Sequence, residues 1–470
     1  MSESDMTQDS RGTGDTVTCG LKSLSAIAKA LGVPLAIDDR PVAGIVTDTR
    51  ALKAGDVFVA LVGERFDAHD FLDQARRAGA VAAIVSRPVD DPLPQLAVAD
   101  TRLALGLLGL ARRLAWGGPL AAITGNSGKT TVKEMLAALL ERRGATLATR
   151  GNLNNDIGAP LTLLELASQH RQAVVELGAN HLGEIAWTVA LARPQVAVIT
   201  NVTGAHVGEF GGMGRIAQAK AEILGGLAVD GVAVLNRDDD FYPFWRRLAG
   251  EREVVCFGLT EQARIHARDL VCDGLGRYAF TLVQDGCALG HVQLALLGLH
   301  NVRNALAAAA AALTLGLPAN EVVAGLSMSR TIPGRLTLID GPRGCRLLDD
   351  TYNANPGAVK AALEALAKMP APRWCFLGAM GELGDASASF HAQIGHYARE
   401  LGIDFLGTLG AEAEPAAHAF GERGCHFMDW AALLRHAHDH LPSGASVLVK
   451  GSRSAGMERL ITELRADVSR

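Results

Sequence analysis

A short apolar run, LAAIT, leads into TGNSGKTT, residues Thr124 to Thr131, and then into the helical stretch TTVKEMLAALLERRG. Strand, glycine loop and helix in that order is the context in which backbone N–H groups cradle phosphates. Gly125 and Gly128 allow close approach of an anion, with Asn126 and Ser127 between them. The start of the helix adds partial positive charge. Lys129 has the place of a group that neutralises β- and γ-phosphates, and the hydroxyl of Thr130, just before Thr131, that of a Mg²⁺ ligand. The commoner form of such a loop has a glycine six residues before the lysine; here that residue is Ile123, and Gly125 lies four before it. The plain alternative is an ordinary glycine-rich turn. The loop alone would serve a kinase, a GTPase, a motor or a ligase.

Other chemistry-bearing residues are spread along the chain. Glu176 ends the apolar run AVVE, and the carboxyl ends of parallel strands line ligand crevices. A carboxylate there suits Mg²⁺, which takes oxygen ligands; it also suits capping of the next segment. His206 follows VAVITNV in a loop, where a single histidine is ordinarily just exposed. Lys220, in IAQAKAEIL, reads by itself as a surface lysine. Asn301 and Arg303 open an alanine-rich helix, as a cap and a solvated arginine would. Arg335 follows Pro333 and Gly334. Asp350 ends RLLDD, ahead of Tyr352, Asn353 and Asn355. Lys450 and Arg453 sit in KGSRS after the last strand. Asn152, Asn154 and Asn155 make an amide-rich loop of turn-favouring residues. Near the N-terminus, Thr47, Asp48, Thr49 and Arg50 end a strand, and Arg65, Asp67 and His69 follow Gly63 in a loop.

The elements that must position these residues fall into blocks. The chain has 470 residues, enough for two to four domains. The first 20 residues are polar, lack an apolar signal core and read as a disordered lead-in. Residues 21–116 alternate helix and strand and close at Gly117, Gly118 and Pro119. Residues 117–330 carry the βαβ rhythm of a parallel, doubly wound sheet, with strands and turns over 264–297 as an antiparallel addition. Residues 331–470 alternate again, as a smaller Rossmann-like domain. The expected fold is therefore α/β: a central doubly wound P-loop ATPase-like sheet between a small N-terminal α/β domain and a C-terminal Rossmann-like domain. The mostly alanine run from Leu306 to Leu317 is shorter than the roughly 20 residues that span a bilayer and reads as a buried helix. Net charge is −5, which gives no electrostatic case for a nucleic-acid partner. The seven cysteines are dispersed with no C-x-x-C pair, the usage of reduced thiols in a cytoplasmic protein rather than of a disulfide frame or zinc site.

The shortened loop TGNSGKTT resembles that of the Mur ligases and folylpolyglutamate synthetases. Further segments resemble the Mur ligase family, in the wording of its MurF type: NLNNDIGAPLTLL, VVELGANHLGEI, NVTGAHVGEFGG, AKAEI, GLHNVRNALAAAA, PGRL, DDTYNANP and VKGSRSAGME, in order, preceded by TDTR and GERFDAHDF. The resemblance covers the chain from about residue 21. It implies an ATP-dependent ligase that activates a carboxylate as an acyl phosphate and joins it to an amine. The substrates implied are UDP-N-acetylmuramoyl-tripeptide and D-alanyl-D-alanine, handled by a cytoplasmic, non-membrane monomer. It also implies Mg²⁺, two ions, on Thr130, Glu176, His206 and Lys220, the last as a CO₂-derived carbamate. Adenine falls to Asn301, and phosphate or ribose to Arg335 and Asp350, on a third domain that swings over the nucleotide. The acceptor peptide and phosphate fall near Asn152, Asn154 and Asn155, the second substrate's carboxylate to Lys450 and Arg453, and Tyr352 and Asn353 are implied as further substrate-binding residues. The UDP-sugar end falls to Thr47–Arg50, Arg65, Asp67 and His69, where arginines suit a diphosphate. Rival readings are a folylpolyglutamate synthetase-like ligase, a Mur ligase adding a diamino acid (YNANP stands where that enzyme has DNPR), and a non-catalytic nucleotide-binding scaffold.

Overall fold

The computed structural model describes residues 20–63, 66–203, 210–328 and 332–466. The chain divides into two compact units, one made of the chain up to Gly118 with Leu163–Arg171, the other of Pro119–Thr162 with Gln172–Arg470.

In the first unit four parallel strands, Ile45–Val46, Val57–Val59, Ala82–Val85 and Gln95–Ala97, lie side by side in that order. The two central strands are buried at every residue, the signature of a parallel sheet covered on both faces. The helix Thr101–Trp116 is started by Asp100, whose carboxylate accepts from the backbone N–H groups of Arg102 and Leu103. Its last residue, Trp116, donates its indole N–H to the carbonyl of His170, which ties Leu163–Arg171 into this unit.

The second unit holds two sheets. The larger has nine strands in the spatial order Cys287–Leu297, Arg277–Gln284, Ile265–Cys272, Glu253–Gly258, Val232–Asn236, Val196–Ile199, Leu120–Thr124, Gln172–Glu176 and Thr146–Ala148. Neighbours are parallel from Ile265–Cys272 onward, and the first three strands form an antiparallel extension. From Leu120–Thr124 the chain first builds outward to one side and then returns to build toward the other. That reversal opens a crevice beyond the carboxyl end of this strand. The alanine-rich helix, Leu299–Thr314, packs against the helix Lys129–Glu141. Ala305 and Ala307 to Ala312 are fully buried in one core with Val132, Leu136, Leu139 and Phe257. Alanine is what lets two backbones come this close while still filling the space between them.

The smaller sheet runs Thr337–Asp340, Arg346–Asp350, Ser446–Lys450, Arg373–Gly378, Phe405–Leu409 and Gly424–Phe427. Only the first pairing is antiparallel. Its register sets Asp350 opposite Lys450 at the carboxyl ends of adjacent strands. Among the described residues, no helix is long and apolar enough to cross a membrane.

Candidate active site

The carboxyl ends of both sheets of the second unit face one cavity of about 1370 Å³. The phosphate loop forms its floor. Gly125 has φ 142°, and a Cβ there would lie 1.9 Å from Thr200 Oγ1; Gly128 has φ 81°, and a Cβ there would lie 2.3 Å from Asn304 Oδ1. Only glycine lets the loop thread between these side chains. Gly128 caps the helix Lys129–Glu141 and, as glycine, brings no side chain of its own to the amides at this helix start. Lys129 Nζ donates to the carbonyls of Gly125 (2.8 Å) and Asn126 (3.1 Å). Burial pulls its pKa below the usual lysine value; Glu176 and Glu382 oppose that and Arg335 adds to it.

The next strand over clamps this loop, a role not read from the sequence. Asn201 accepts from the Ser127 N–H (3.0 Å) and donates to the Ser127 carbonyl (3.1 Å), and Thr200 Oγ1 donates to that same carbonyl (2.7 Å). Asn201 opens the NVTGAHVGEF segment; its side chain gave no local signal beyond membership of that segment.

Glu176 is 2% exposed. Its carboxylate accepts from the Thr130 hydroxyl (2.9 Å) and from the Asn154 amide (2.8 Å), and its backbone N–H donates to Thr149 Oγ1. A carboxylate held by two neutral donors keeps lone pairs that a cation could use. Adjacent oxygen ligands of a Mg²⁺ ion with bonds near 2.1 Å lie about 3 Å apart, which is the separation of Thr130 Oγ1 and Glu176 Oε2. The donor set present thus fits a hard divalent cation. Glu176 is the one His, Cys, Asp or Glu of the expected metal set among the described residues, and those residues hold no cluster of three such groups. His206 lies outside the described residues, as does Arg65.

Lys220 is 2% exposed, on the helix Met213–Ala221, rather than a surface lysine. Its Nζ donates to the Ala179 carbonyl (3.3 Å) and lies 5.5 Å from the Phe210 ring centroid. Burial lowers its pKa to about 7; Lys129 pushes the same way, against Glu184 and Glu222. Glu222 accepts from the N–H groups of Gly183 and Ala186, holding the start of the helix Glu184–Ala192.

Asn152 and Asn154 line the cavity, whereas Asn155 accepts from the Gly158 N–H and serves its own turn. Asn301 lines it with Arg303 and Asn304. Asn301 is not a helix cap: Gly298 is. Its side chain donates to the Leu297 carbonyl and accepts from Asn304 Nδ2 (2.9 Å). The smaller sheet contributes Arg335, Asp350, Tyr352, Asn353, Lys450 and Arg453. The Arg335 guanidinium lies 4.3 Å from the Tyr352 ring centroid. Arg453 is exposed, with a long 3.7 Å contact to Glu458. Lys450 differs from expectation. Its side chain is 2% exposed, and it donates to Asp350 Oδ2 (2.5 Å), the Asn353 carbonyl (2.9 Å) and the Asp350 carbonyl (3.4 Å). An ammonium has three donors, so none is left here for a substrate carboxylate.

In the first unit, Thr47 to Arg50 follow the strand Ile45–Val46. Arg50 pairs with Asp48 through Nε (3.0 Å) and Nη2 (2.7 Å), and its side chain stays 85% exposed. The hydrogen bond from Arg50 holds the Asp48 carboxyl below its ordinary value. Asp67 accepts from Arg87, which with the His69 backbone N–H holds its carboxyl well below the usual range. His69 is 1% exposed. Its Nδ1 faces Asp67 Oδ1 (2.6 Å), and its Nε2 accepts from the Ser86 N–H (3.0 Å). Both ring nitrogens are spent inside the protein, so His69 orders the loop that carries Asp67 and offers a ligand no free atom.

Family models match along the chain: "Mur ligase family, catalytic domain" over residues 41–108, "Mur ligase middle domain" over 123–312 and "Mur ligase, glutamate ligase domain" over 334–453. The chain is 44% identical to the UDP-N-acetylmuramoyl-tripeptide–D-alanyl-D-alanine ligase of Escherichia coli K12, across 94% of this chain and 98% of that one. A crystal structure of MurF from Acinetobacter baumannii superposes with a TM-score of 0.87 at 39% identity, covering 94% of this chain and 98% of that one. The MurF ligase of Thermotoga maritima, solved in complex with ADP, superposes with a TM-score of 0.81 at 30% identity, covering 91% and 98%. Matched over 94% of its length in sequence and in fold, the chain belongs to the Mur ligase family, in its MurF type.

Proposed function

We propose that this chain joins D-alanyl-D-alanine to the peptide carboxylate of UDP-N-acetylmuramoyl-tripeptide at the expense of ATP, forming ADP, phosphate and the pentapeptide precursor of peptidoglycan. The observation that carries the reading is the cavity in which the phosphate loop, the buried Glu176–Thr130 pair and the Arg335–Asp350 edge face one another.

A carboxylate is a poor electrophile, so the reaction runs in two displacements. The peptide carboxylate attacks the γ-phosphorus of ATP; a C–O–P link forms, the bond to the β,γ-bridging oxygen breaks, and ADP leaves. The amine of D-alanyl-D-alanine, having given up a proton, then attacks the acyl carbon; a C–N bond forms and phosphate leaves with its oxygen. Lys129 and the amides of the helix start hold the β- and γ-phosphates and offset the charge that develops on them. Arg335 meets the same phosphates from the smaller sheet, with Asp350 beside it toward the ribose and Asn301 toward adenine. Asn152, Asn154, Tyr352 and Asn353 flank the acceptor peptide, and Arg453 meets the dipeptide carboxylate. Enclosure by the two sheets keeps water from the acyl phosphate.

Thr130, Glu176, His206 and Lys220 as a carbamate would hold Mg²⁺, two ions, whose charge withdraws electrons from phosphoryl and acyl oxygens. What supports the carbamate is the buried Lys220 amine. With its pKa near 7, a neutral fraction is present near neutral pH to attack CO₂, losing a proton to leave an anion.

Residues 21–116 are assigned to the UDP-sugar end, 117–330 to ATP and 331–470 to closure and the dipeptide, in a cytoplasmic monomer. The test is phosphate release by purified protein with ATP and Mg²⁺, across UDP-muramoyl peptides paired with D-alanyl-D-alanine or single amino acids, with products weighed by mass spectrometry. Release that needs both the tripeptide nucleotide and the dipeptide is expected. Release with a single amino acid would favour another Mur-type or folylpolyglutamate synthetase-like reaction, and none at all would favour a nucleotide-binding scaffold.

A further inference from the structure

Arg335 stands between two residues in the left-handed backbone region, Gly334 (φ 72°) and Leu336 (φ 47°). For leucine that conformation is uncommon and needs outside support. Leu336 is 3% exposed, and its N–H donates to Asp350 Oδ1 (3.1 Å). The other oxygen of Asp350 is the one Lys450 holds. The Tyr352 N–H donates to the Gly334 carbonyl (3.1 Å), and a Cβ on Gly334 would press within 3.3 Å of Tyr352. The third donor of Lys450 holds the Asn353 carbonyl, just beyond Tyr352. One buried ammonium thus fixes both the carboxylate and the loop against which residues 334–336 are folded.

We infer that Lys450 is a positioning residue that, through Asp350, sets the Gly334–Leu336 segment and thereby aims Arg335 into the cavity. The same β-pairing that sets Asp350 beside Lys450 makes the last strand of the chain the support for a segment more than a hundred residues earlier. A lysine with all three donors committed and its side chain 2% exposed is a fixture of the wall rather than a group that reaches for ligand. The inference rests on the ligase reading only in taking Arg335 as a partner of the nucleotide's phosphates.

The experiment is a double-mutant cycle on the full chain, read by calorimetric titration with a non-hydrolysable ATP analogue and Mg²⁺. Lys450→Met and Arg335→Ala should each weaken the analogue about tenfold, the size of a lost charge-assisted contact. The double variant should be no more than about twofold weaker than Arg335→Ala alone, because the lysine acts through the arginine. Multiplying effects, or Lys450→Met binding like wild type, would overturn the inference. So would a raised KM for D-alanyl-D-alanine with analogue affinity unchanged, which is the mark of a direct carboxylate ligand. Should Lys450→Met not fold, Lys450→Gln keeps a donor; amide exchange at Leu336 should then quicken about tenfold over wild type, and unchanged exchange there counts against the inference. The titration needs no turnover, so a wild-type protein that released no phosphate would sink the ligase reading and leave the cycle legible.

Discussion

At the scale of single residues, local sequence revealed groups whose chemistry needs only a short stretch of chain. The loop that carries Lys129 was legible because strand, glycine loop and helix are adjacent. Lys129→Ala should cut phosphate release at least a thousandfold, the scale of losing a principal charge stabiliser, and near-normal release would mean the loop is misassigned. Residues defined by burial and distant partners were not legible in the same way. His69 and Lys450 look like ligand groups in a string of letters, and the fold spends both internally. Lys220 looks like a surface lysine and is buried. Lys220→Ala should be inactive and partly rescued by small carboxylates such as formate, if an anion on that side chain is what the reaction uses; full activity without rescue would refute the role. His300 lines the cavity, and burial lowers its pKa to about 4, with Lys450 and Arg303 pushing it down against Asp350 and Glu364. The unfolded chain therefore binds the extra proton between about pH 6.5 and 4. Stability falls as pH falls through that window and gains nothing above it. Removing the group with His300→Gln should flatten the acid limb of the unfolding free energy against pH, measured by urea titration, by about 1–2 kcal/mol, allowing for its partial exposure; an unchanged limb would place the acid sensitivity elsewhere.

At the scale of elements, hydrophobic runs gave most of the buried strands and the antiparallel addition over 264–297, since their apolar residues leave few alternatives, but the largely buried strand Glu253–Gly258 was not read. The edge strands Thr146–Ala148 and Gly424–Phe427 were not read. Both are short and only partly buried, so little periodicity marks them. The alanine run was read as a buried helix, but its start at Leu299 is set by Gly298 and by packing, not by an asparagine cap. Its tight seating gives a sharp expectation. Ala308 is fully buried, in a core shared with Val132 and Leu136. Ala308→Leu should cost about 1–3 kcal/mol through overpacking, seen as a lower urea midpoint at unchanged slope. A neutral result would mean the helix can move away from Lys129–Glu141. The phosphate loop has a comparable dependence on the neighbouring strand's end, where Asn201 and Thr200 grip Ser127. A loop that reads as self-sufficient in sequence is held in shape by residues 73 and 74 positions away.

For the molecule as a whole, glycine and proline at 117–119 suggested a boundary, but nothing in the sequence showed that Leu163–Arg171 returns to the first unit. That return depends on Trp116 and on packing, and no local pattern encodes it. The consequence is a division of labour that can be measured. Every residue lining the large cavity belongs to the second unit, whereas Arg50 and Asp67 belong to the first. If the first unit holds only the UDP-sugar end, its variants should separate the substrates. Arg50→Ala removes an 85% exposed side chain whose guanidinium is held in place by Asp48. It should raise the KM for UDP-N-acetylmuramoyl-tripeptide about tenfold, the loss of one charge-assisted phosphate contact, while binding of an ATP analogue stays within about twofold. Arg335→Ala should do the reverse, weakening the analogue and sparing the tripeptide nucleotide. A common loss of both affinities in either variant would mean that the two units do not bind their substrates independently, and that the partition of the chain into sugar-holding and nucleotide-holding parts is wrong.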